Sequence, residues 1–290
     1  MQPVEYGEKS KLIRRVKMAE PSKLSGGAMA QLVEKGKLRR ADIILTHSKG
    51  SLLGWLVRFG TKSYWNHAAM VYVILNPQQG YDNTFIIESG GAGIDVHNIG
   101  HYLKNTKRFD IGIKRLEKDW FQDDSETGGL RFRRRVRGFA LSEIDDKYDH
   151  KLLLGIAKRM LRQLILAFTF PWLRTKEPAK RRARLPRIAK KLEINAYICS
   201  GFVQWAYYKG VGKVLEEDGN TTETKIQDVI FNPELNYEDS EDTLLSTTPA
   251  DLANSDKLTW RYVVKDGMVW EVGNEDEVDF ILKSRRQQRG

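Results

Sequence analysis

The apolar and polar positions of the chain predict a set of short strands with antiparallel pairing. Two of them flank Asp266-Gly267, a dipeptide that favours a tight hairpin turn. Glycine- or proline-containing turns separate several of the others. The predicted strands are 41–46, 68–75, 85–88, 94–97, 111–116, 260–264 and 268–272.

Helical periodicity dominates the middle of the chain. Apolar positions in 152–168 lie near one stripe, with Lys151, Lys158 and Arg162 on the other side, which predicts a basic amphipathic helix. A helix over 199–209 is expected to stop at Gly210. Together the elements predict an α+β fold in which helices pack on a small antiparallel sheet. The other predicted helices are 52–59 and 130–141.

Composition narrows the class of protein. Of 290 residues, 41% are hydrophobic and 10% aromatic, which excludes disordered and collagen-like chains. The chain has one cysteine, Cys199, so it forms no internal disulfide and offers no cysteine-based zinc pattern. Neither a P-loop nor a dinucleotide-binding fingerprint is present. The sequence therefore predicts no cofactor and no metal.

The net charge of +10 is unevenly distributed. Residues 174–191 hold nine basic side chains and one acidic, and five arginines crowd Arg131 to Arg137. Residues 216–242 hold ten acidic side chains and one lysine. Two interpretations stay open: a solvated, self-complementary surface, or attraction to anionic lipid, phosphate or nucleic acid.

The ends of the chain bear on its location. Residues 1–40 are charged throughout and lack the apolar core of a secretory signal. The longest candidate apolar run, 163–173, has eleven uncharged residues, whereas a spanning helix needs about 20. We expect a cytoplasmic or peripheral membrane protein, or one that is carried in a particle or delivered without a conventional signal.

Cys199 is the candidate nucleophile. The pattern places it in the first turn of the predicted helix, where backbone N–H groups and the helix dipole favour a thiolate. A backbone N–H of the same turn could hold an oxyanion. An inert, buried thiol is the alternative, because free cysteines are commonly buried.

A thiolate nucleophile needs a base, and His67 is the best-placed of five histidines. It opens the predicted strand 68–75, where a sheet would hold its imidazole rigidly. His47 ends its own strand and is the nearest rival. Three other histidines lie in polar contexts that favour a solvated surface position: His97, His101 and His150.

Glu88 is the candidate third residue. It ends the strand 85–88 before a glycine-rich turn, and a carboxylate there is costly to bury unless it is paired. If its strand lies beside that of His67, Glu88 could orient the imidazole and stabilise its charged form. An exposed glutamate at the strand end is the alternative.

Four motifs, in order along the chain, resemble those of the circularly permuted NlpC/P60 cysteine hydrolases, the papain-like group that includes the YiiX-type proteins. Pro249-Ala250-Asp251-Leu252-Ala253 resembles the closing segment of the family, and Tyr148-Asp149 an element ahead of its cysteine helix. Gly201 departs from the pattern, since an acidic residue is frequent there. The four motifs are Asp42-Ile43-Ile44-Leu45-Thr46, Asn66-His67-Ala68-Ala69-Met70-Val71, Ile87-Glu88-Ser89 and Tyr197-Ile198-Cys199-Ser200-Gly201-Phe202-Val203.

The resemblance implies a permuted papain-like domain over 41–272, with a basic helical insertion at about 118–192. An N-terminal extension, 1–40, and a charged tail, 273–290, flank this domain. The resemblance also implies Cys199 as nucleophile, His67 as base and Glu88 as the third residue.

The implied activity is a hydrolase or acyltransferase that cleaves an amide or ester bond through a thioester. Its substrates would be cell-wall peptides or lipid and acyl-peptide groups, with a possible anionic membrane surface or cell wall as partner. The alternative is a non-catalytic basic module on the same scaffold, which binds a membrane surface or, less favoured, nucleic acid.

Overall fold

A computed structural model describes residues 14–16, 38–51, 54–55, 58, 63–75, 83–90, 93–143, 199–219, 223–239, 241–245 and 247–283. Its centre is one sheet of eight strands, in the spatial order β1-β8-β7-β6-β2-β3-β4-β5, in which every neighbouring pair is antiparallel. The strands are β1 (Arg14–Val16), β2 (Ile43–Ser48), β3 (His67–Ile74), β4 (Thr84–Gly90), β5 (Gly93–Asn98), β6 (Phe109–Arg115), β7 (Thr259–Lys265) and β8 (Met268–Glu271).

Helices complete the α+β architecture that the sequence predicts. The α4 helix carries Cys199, and its described residues are 199–217. The other helices are α1 (Gly100–Leu103), α2 (Asp119–Gln122), α3 (Gly129–Ser142), α5 (Glu223–Asp228), α6 (Glu241–Leu244), α7 (Pro249–Asn254) and α8 (Glu275–Lys283).

The two faces of the sheet bury separate apolar clusters, because side chains alternate along each strand. On one face, Ile43 and Leu45 pack with residues of α3, α4 and α8. On the other face, Ile44 packs with Tyr102 and Leu103 of α1. The cysteine helix and α1 therefore belong to cores on opposite sides of the sheet.

The late hairpin confirms its sequence prediction. Strands β7 and β8 are joined by Asp266 and Gly267, whose φ angles are 50° and 77°. Two successive positive φ angles are characteristic of the type I′ turn, which matches the twist of paired strands.

The sheet has one strand more than the seven that the sequence predicts, and both flanking segments contribute to the fold. Residues 14–16 of the predicted extension form β1, which pairs with β8 at one edge of the sheet. Within the predicted charged tail, α8 buries Val278 and Ile281 against the core. Their three-residue spacing gives an otherwise acidic helix one apolar face.

Gly210 does not end the cysteine helix, contrary to the prediction, because α4 continues to residue 217. A Cβ at position 210 would lie 2.4 Å from the Cα of Val136 in α3. Glycine is needed there because the backbones of two helices approach closely.

The basic amphipathic helix 152–168, the basic block 174–191 and Tyr148-Asp149 lie outside the described residues. Their predicted roles stay predictions. Among the described helices, none combines the length and apolar character needed to cross a bilayer.

Candidate active site

Cys199 lies buried at the beginning of the described part of α4. Its side chain forms a hydrogen bond with the His67 imidazole, and the backbone N–H of Ala68 donates a second one to the sulfur. Burial by itself would raise the pKa of the thiol. The charge of His67 and these two hydrogen bonds outweigh that effect and lower the pKa of Cys199 below its ordinary value.

The two residues after Cys199 fix the helix against Leu245 and Thr247. Ser200 donates a hydrogen bond from Oγ to the carbonyl oxygen of Thr247, at 2.7 Å. A Cβ at Gly201 would lie 2.1 Å from the carbonyl oxygen of Leu245. Glycine is needed at this position, because no larger residue fits without a backbone shift.

His67 is the first residue of β3, and its partly buried side chain faces both a thiol and a carboxylate. Its Nε2 atom is 2.9 Å from Oε2 of Glu88, which leaves Nδ1 for the hydrogen bond with Cys199. Burial alone would lower the pKa of the imidazole. The thiolate and the carboxylate reverse this and raise the pKa well above its ordinary value, so both favour an imidazolium.

Glu88 lies near the end of β4, on the same face of the sheet as His67. The β3–β4 register pairs Met70 with Ile87, and side chains alternate between the two faces along each strand. His67 is three residues before Met70 and Glu88 is one residue after Ile87, so both lie on the face opposite to that pair. Burial would raise the pKa of the Glu88 carboxyl, but hydrogen bonds from His67 and neighbouring donors lower it far below its ordinary range. The carboxylate is thus ionised beside the imidazole.

The structure therefore brings together all three residues that the sequence singles out. Their order, thiol to imidazole to carboxylate, is the one that nucleophilic catalysis by a thiolate requires. The exposed fractions of the His67 and Glu88 side chains are 20% and 17%, so solvent reaches the site at its imidazole–carboxylate end.

Two further residues contact Glu88, and sequence reasoning missed both. Nε2 of His97 is 3.1 Å from Oε1 of Glu88, and the Tyr102 hydroxyl donates to Oε2 at 2.7 Å. The prediction of a solvated surface position for His97 is wrong. A signal was present, because two adjacent strands separated by only two residues pair near Gly90 and Gly93, and that register places His97 diagonally across from Glu88.

The rival histidines have other surroundings. His47 lies opposite Asp110 in the β2–β6 pair, and its Nδ1 is 2.7 Å from the carbonyl oxygen of Tyr64. That nitrogen must carry the proton, since a carbonyl oxygen can only accept. His101 is exposed on α1, and His150 lies outside the described residues.

The arginines of α3 form contacts within the chain. Arg133 and Arg137 donate to backbone carbonyl groups. Arg131 and Arg135 both bind Glu217 of α4, and Arg134 binds Glu126. The arginine cluster and the acidic stretch of the sequence are thus partly self-complementary. This agrees with the interpretation of the charge pattern as a solvated, self-complementary surface.

A comparison with models of known protein families finds no match for this chain, and a comparison with curated proteins finds none either.

Proposed function

We propose that the protein is a cysteine-nucleophile hydrolase or acyltransferase that opens an amide or ester bond through a thioester intermediate. The observation that carries the proposal is the continuous hydrogen-bonded chain from Cys199 through His67 to Glu88. A buried, inert thiol needs neither an imidazolium nor an ionised carboxylate behind it.

In the first half of the reaction, the Cys199 thiolate attacks the carbonyl carbon of the substrate and forms a tetrahedral oxyanion. As this intermediate collapses, the imidazolium of His67 gives its proton to the leaving nitrogen or oxygen. The acyl group then remains on sulfur as a thioester, and His67 is neutral.

In the second half, water or another acceptor attacks the thioester carbonyl while His67 takes the proton of the attacking group. The thiolate leaves, and the imidazolium pairs with it again. Glu88 stabilises the imidazolium at the beginning and the end of the cycle and fixes the ring with Nδ1 toward sulfur.

The proposal extends to the fold, a circularly permuted papain-like domain. The chain order supports it, because the strand that carries His67 precedes the helix that carries Cys199. Two substrate classes follow from this assignment: cell-wall peptides with amide bonds, and lipids or acyl-peptides with ester or amide bonds. The proposed partner surface, an anionic membrane or cell wall, depends on residues 174–191.

Trapping of the acyl-enzyme tests the activity. The protein is mixed with p-nitrophenyl acetate, p-nitrophenyl octanoate or soluble cell-wall peptide fragments, quenched in acid, and weighed by intact-mass spectrometry. We expect a mass increase equal to the acyl group, located at Cys199. We expect His67→Gln to slow acylation roughly 10²–10⁴-fold, because the general acid–base is lost.

Two variants make this experiment decisive. Cys199→Ser removes the thiol with little change in volume and should carry no adduct. His101→Gln, which replaces an exposed histidine, should acylate like the wild type. A wild-type protein that forms no adduct with any probe, and whose thiol reacts with iodoacetamide no faster than a free cysteine, would contradict the proposal.

A further inference from the structure

The Glu88 carboxylate is held from three elements of the fold. On Oε2 it accepts from the Tyr102 hydroxyl of α1 and faces Nε2 of His67 in β3. On Oε1 it faces Nε2 of His97 in β5 at 3.1 Å. One carboxylate thus lies between two imidazoles, and one of them, His67, contacts Cys199.

We infer that His97 is a positioning residue of the proposed catalytic site, which holds Oε1 of Glu88 so that Oε2 faces His67. The inference rests on the proposed function. A carboxylate bound at one oxygen can rotate about its last side-chain bond, and an ion-pair partner at the second oxygen, here His97 at 3.1 Å, opposes that rotation. His97 is itself fixed in β5 by the register that pairs it with Ile86.

His97 also contributes charge to the network. Five ionisable neighbours face it: Glu88 in β4, His67 in β3, His101 and Tyr102 in α1, and Asp95 in its own strand β5. The Glu88 carboxylate, 3.1 Å from Nε2 of His97, raises the pKa of His97, and this outweighs the opposing effects of burial and of His67.

A protonated His97 acts on the thiol through Glu88. Its positive charge stabilises the ionised Glu88, and an ionised Glu88 favours the protonated form of His67 beside the thiolate. Repulsion between the two imidazolium groups opposes this effect, but the pKa values of both rings stay raised. Loss of the His97 charge should therefore shift the formation of the Cys199 thiolate to higher pH. Loss of the direct attraction between the His97 charge and the thiolate would also shift thiolate formation to higher pH.

Alkylation of the thiol measures this shift without a substrate. Because Cys199 is the one cysteine of the chain, the rate of mass increase with iodoacetamide reports its thiolate fraction alone. The rate is followed from pH 4 to 9 for the wild type, His97→Gln and His97→Leu. His101→Gln is the matched control, since its ring lies 5.3 Å from that of His97 and it is exposed.

For His97→Gln we expect the acid-side midpoint to rise by about one pH unit while the rate at the plateau is retained, because glutamine keeps an N–H donor but loses the charge. His97→Leu loses both and should also lower the plateau rate. His101→Gln should follow the wild type.

Two outcomes would overturn the inference, and they are distinguishable. If both His97→Gln and His97→Leu superimpose on the wild type while His67→Gln alkylates slowly, His97 has no positioning role and the proposed function stands. If Cys199 of the wild type reacts like an ordinary thiol at every pH, the proposed function fails and the inference fails with it.

Discussion

At the scale of single residues, the reactivity of Cys199 is set by competition between burial and neighbouring charge. Burial raises the pKa of the thiol, and the His67 imidazolium and the Ala68 N–H lower it more. The same competition acts on His67, where burial opposes the thiolate and Glu88. Each of the three residues Cys199, His67 and Glu88 thus needs its neighbour in order to be charged inside the protein.

Glu88→Gln tests this dependence. The amide oxygen can still accept a hydrogen bond from Nε2 of His67. Because the amide is uncharged, it no longer stabilises an imidazolium, so the pKa of His67 should fall. We expect the rate of acyl transfer to fall about 10- to 100-fold, far less than for Cys199→Ala, which should be inactive. The measurement is acylation by p-nitrophenyl acetate at neutral pH.

The control for this variant is its free energy of unfolding in urea. Equal losses of stability and activity, or an unchanged rate, would show that Glu88 is a structural residue and that another acceptor orients His67.

At the scale of elements, the cysteine helix α4 depends on small residues at its contacts. Gly201 faces the carbonyl oxygen of Leu245, and Gly210 faces the backbone of Val136 in α3. Between them the Tyr207 hydroxyl donates to the carbonyl oxygen of Ala41, just before β2. The position of α4 is therefore stabilised by close contact of its backbone with neighbouring segments and by a buried hydrogen bond. Side-chain packing adds to both.

A pair of glycine substitutions in α4 separates packing from helix propensity. A Cβ at Gly210 would lie 2.4 Å from the Val136 Cα, whereas a Cβ at Gly212 would meet only the side chain of Ile226, at 3.7 Å. We expect Gly210→Ala to destabilise the protein by about 1–3 kcal/mol, since two helices must separate. Gly212→Ala should stabilise it by roughly 0.5–1 kcal/mol.

Urea unfolding of both variants checks this prediction. If the two substitutions change the free energy of unfolding equally, the contact between α3 and α4 does not depend on glycine.

At the scale of the whole molecule, buried charges join the sheet to distant parts of the chain. In β6, Arg115 binds Asp42 through two hydrogen bonds of 2.6 and 2.8 Å. The adjacent Lys114 donates from Nζ to the carbonyl oxygens of Ala253 and Ser255, and its ammonium lies 4.9 Å from the centre of the Trp260 ring. These contacts tie β6 to the beginning of β2 and to the C-terminal end of α7.

Lys114 gives a pH-dependent term in the stability of the fold. Burial lowers the pKa of its ammonium to about 8 in the folded protein. An unfolded lysine has a pKa of about 10.4, so between these values the unfolded chain binds more protons. The free energy of unfolding of the wild type, relative to Lys114→Met, should therefore rise from pH 8 to pH 10.5, by roughly 3 kcal/mol.

Parallel urea titrations of the two proteins at intervals from pH 7 to pH 10.5 provide the measurement. The difference between them cancels the other ionisable groups. A difference that stays constant with pH would mean that Lys114 holds its proton across this range.

The sequence by itself determined seven of the eight described strands, the helices α3 and α4, and the candidate residues of the site. Short apolar runs mark β2, β3 and β7, and Asp266-Gly267 marks the hairpin, because these signals act between near neighbours in the chain. The candidates Cys199, His67 and Glu88 could also be identified in the sequence. Each occupies the end of an apolar element, where a polar side chain is costly to bury unless it is paired.

Only the tertiary structure decided which polar groups meet. His97 and Tyr102 reach Glu88 because a register and a helix on one face of the sheet bring them there, and neither effect is local. Gly210 seemed to be a helix end in the sequence and became a helix–helix contact once α3 was in place. Pairing of strands, close approach of backbones and burial of charge depend on residues far apart in the chain, so a local pattern cannot specify them.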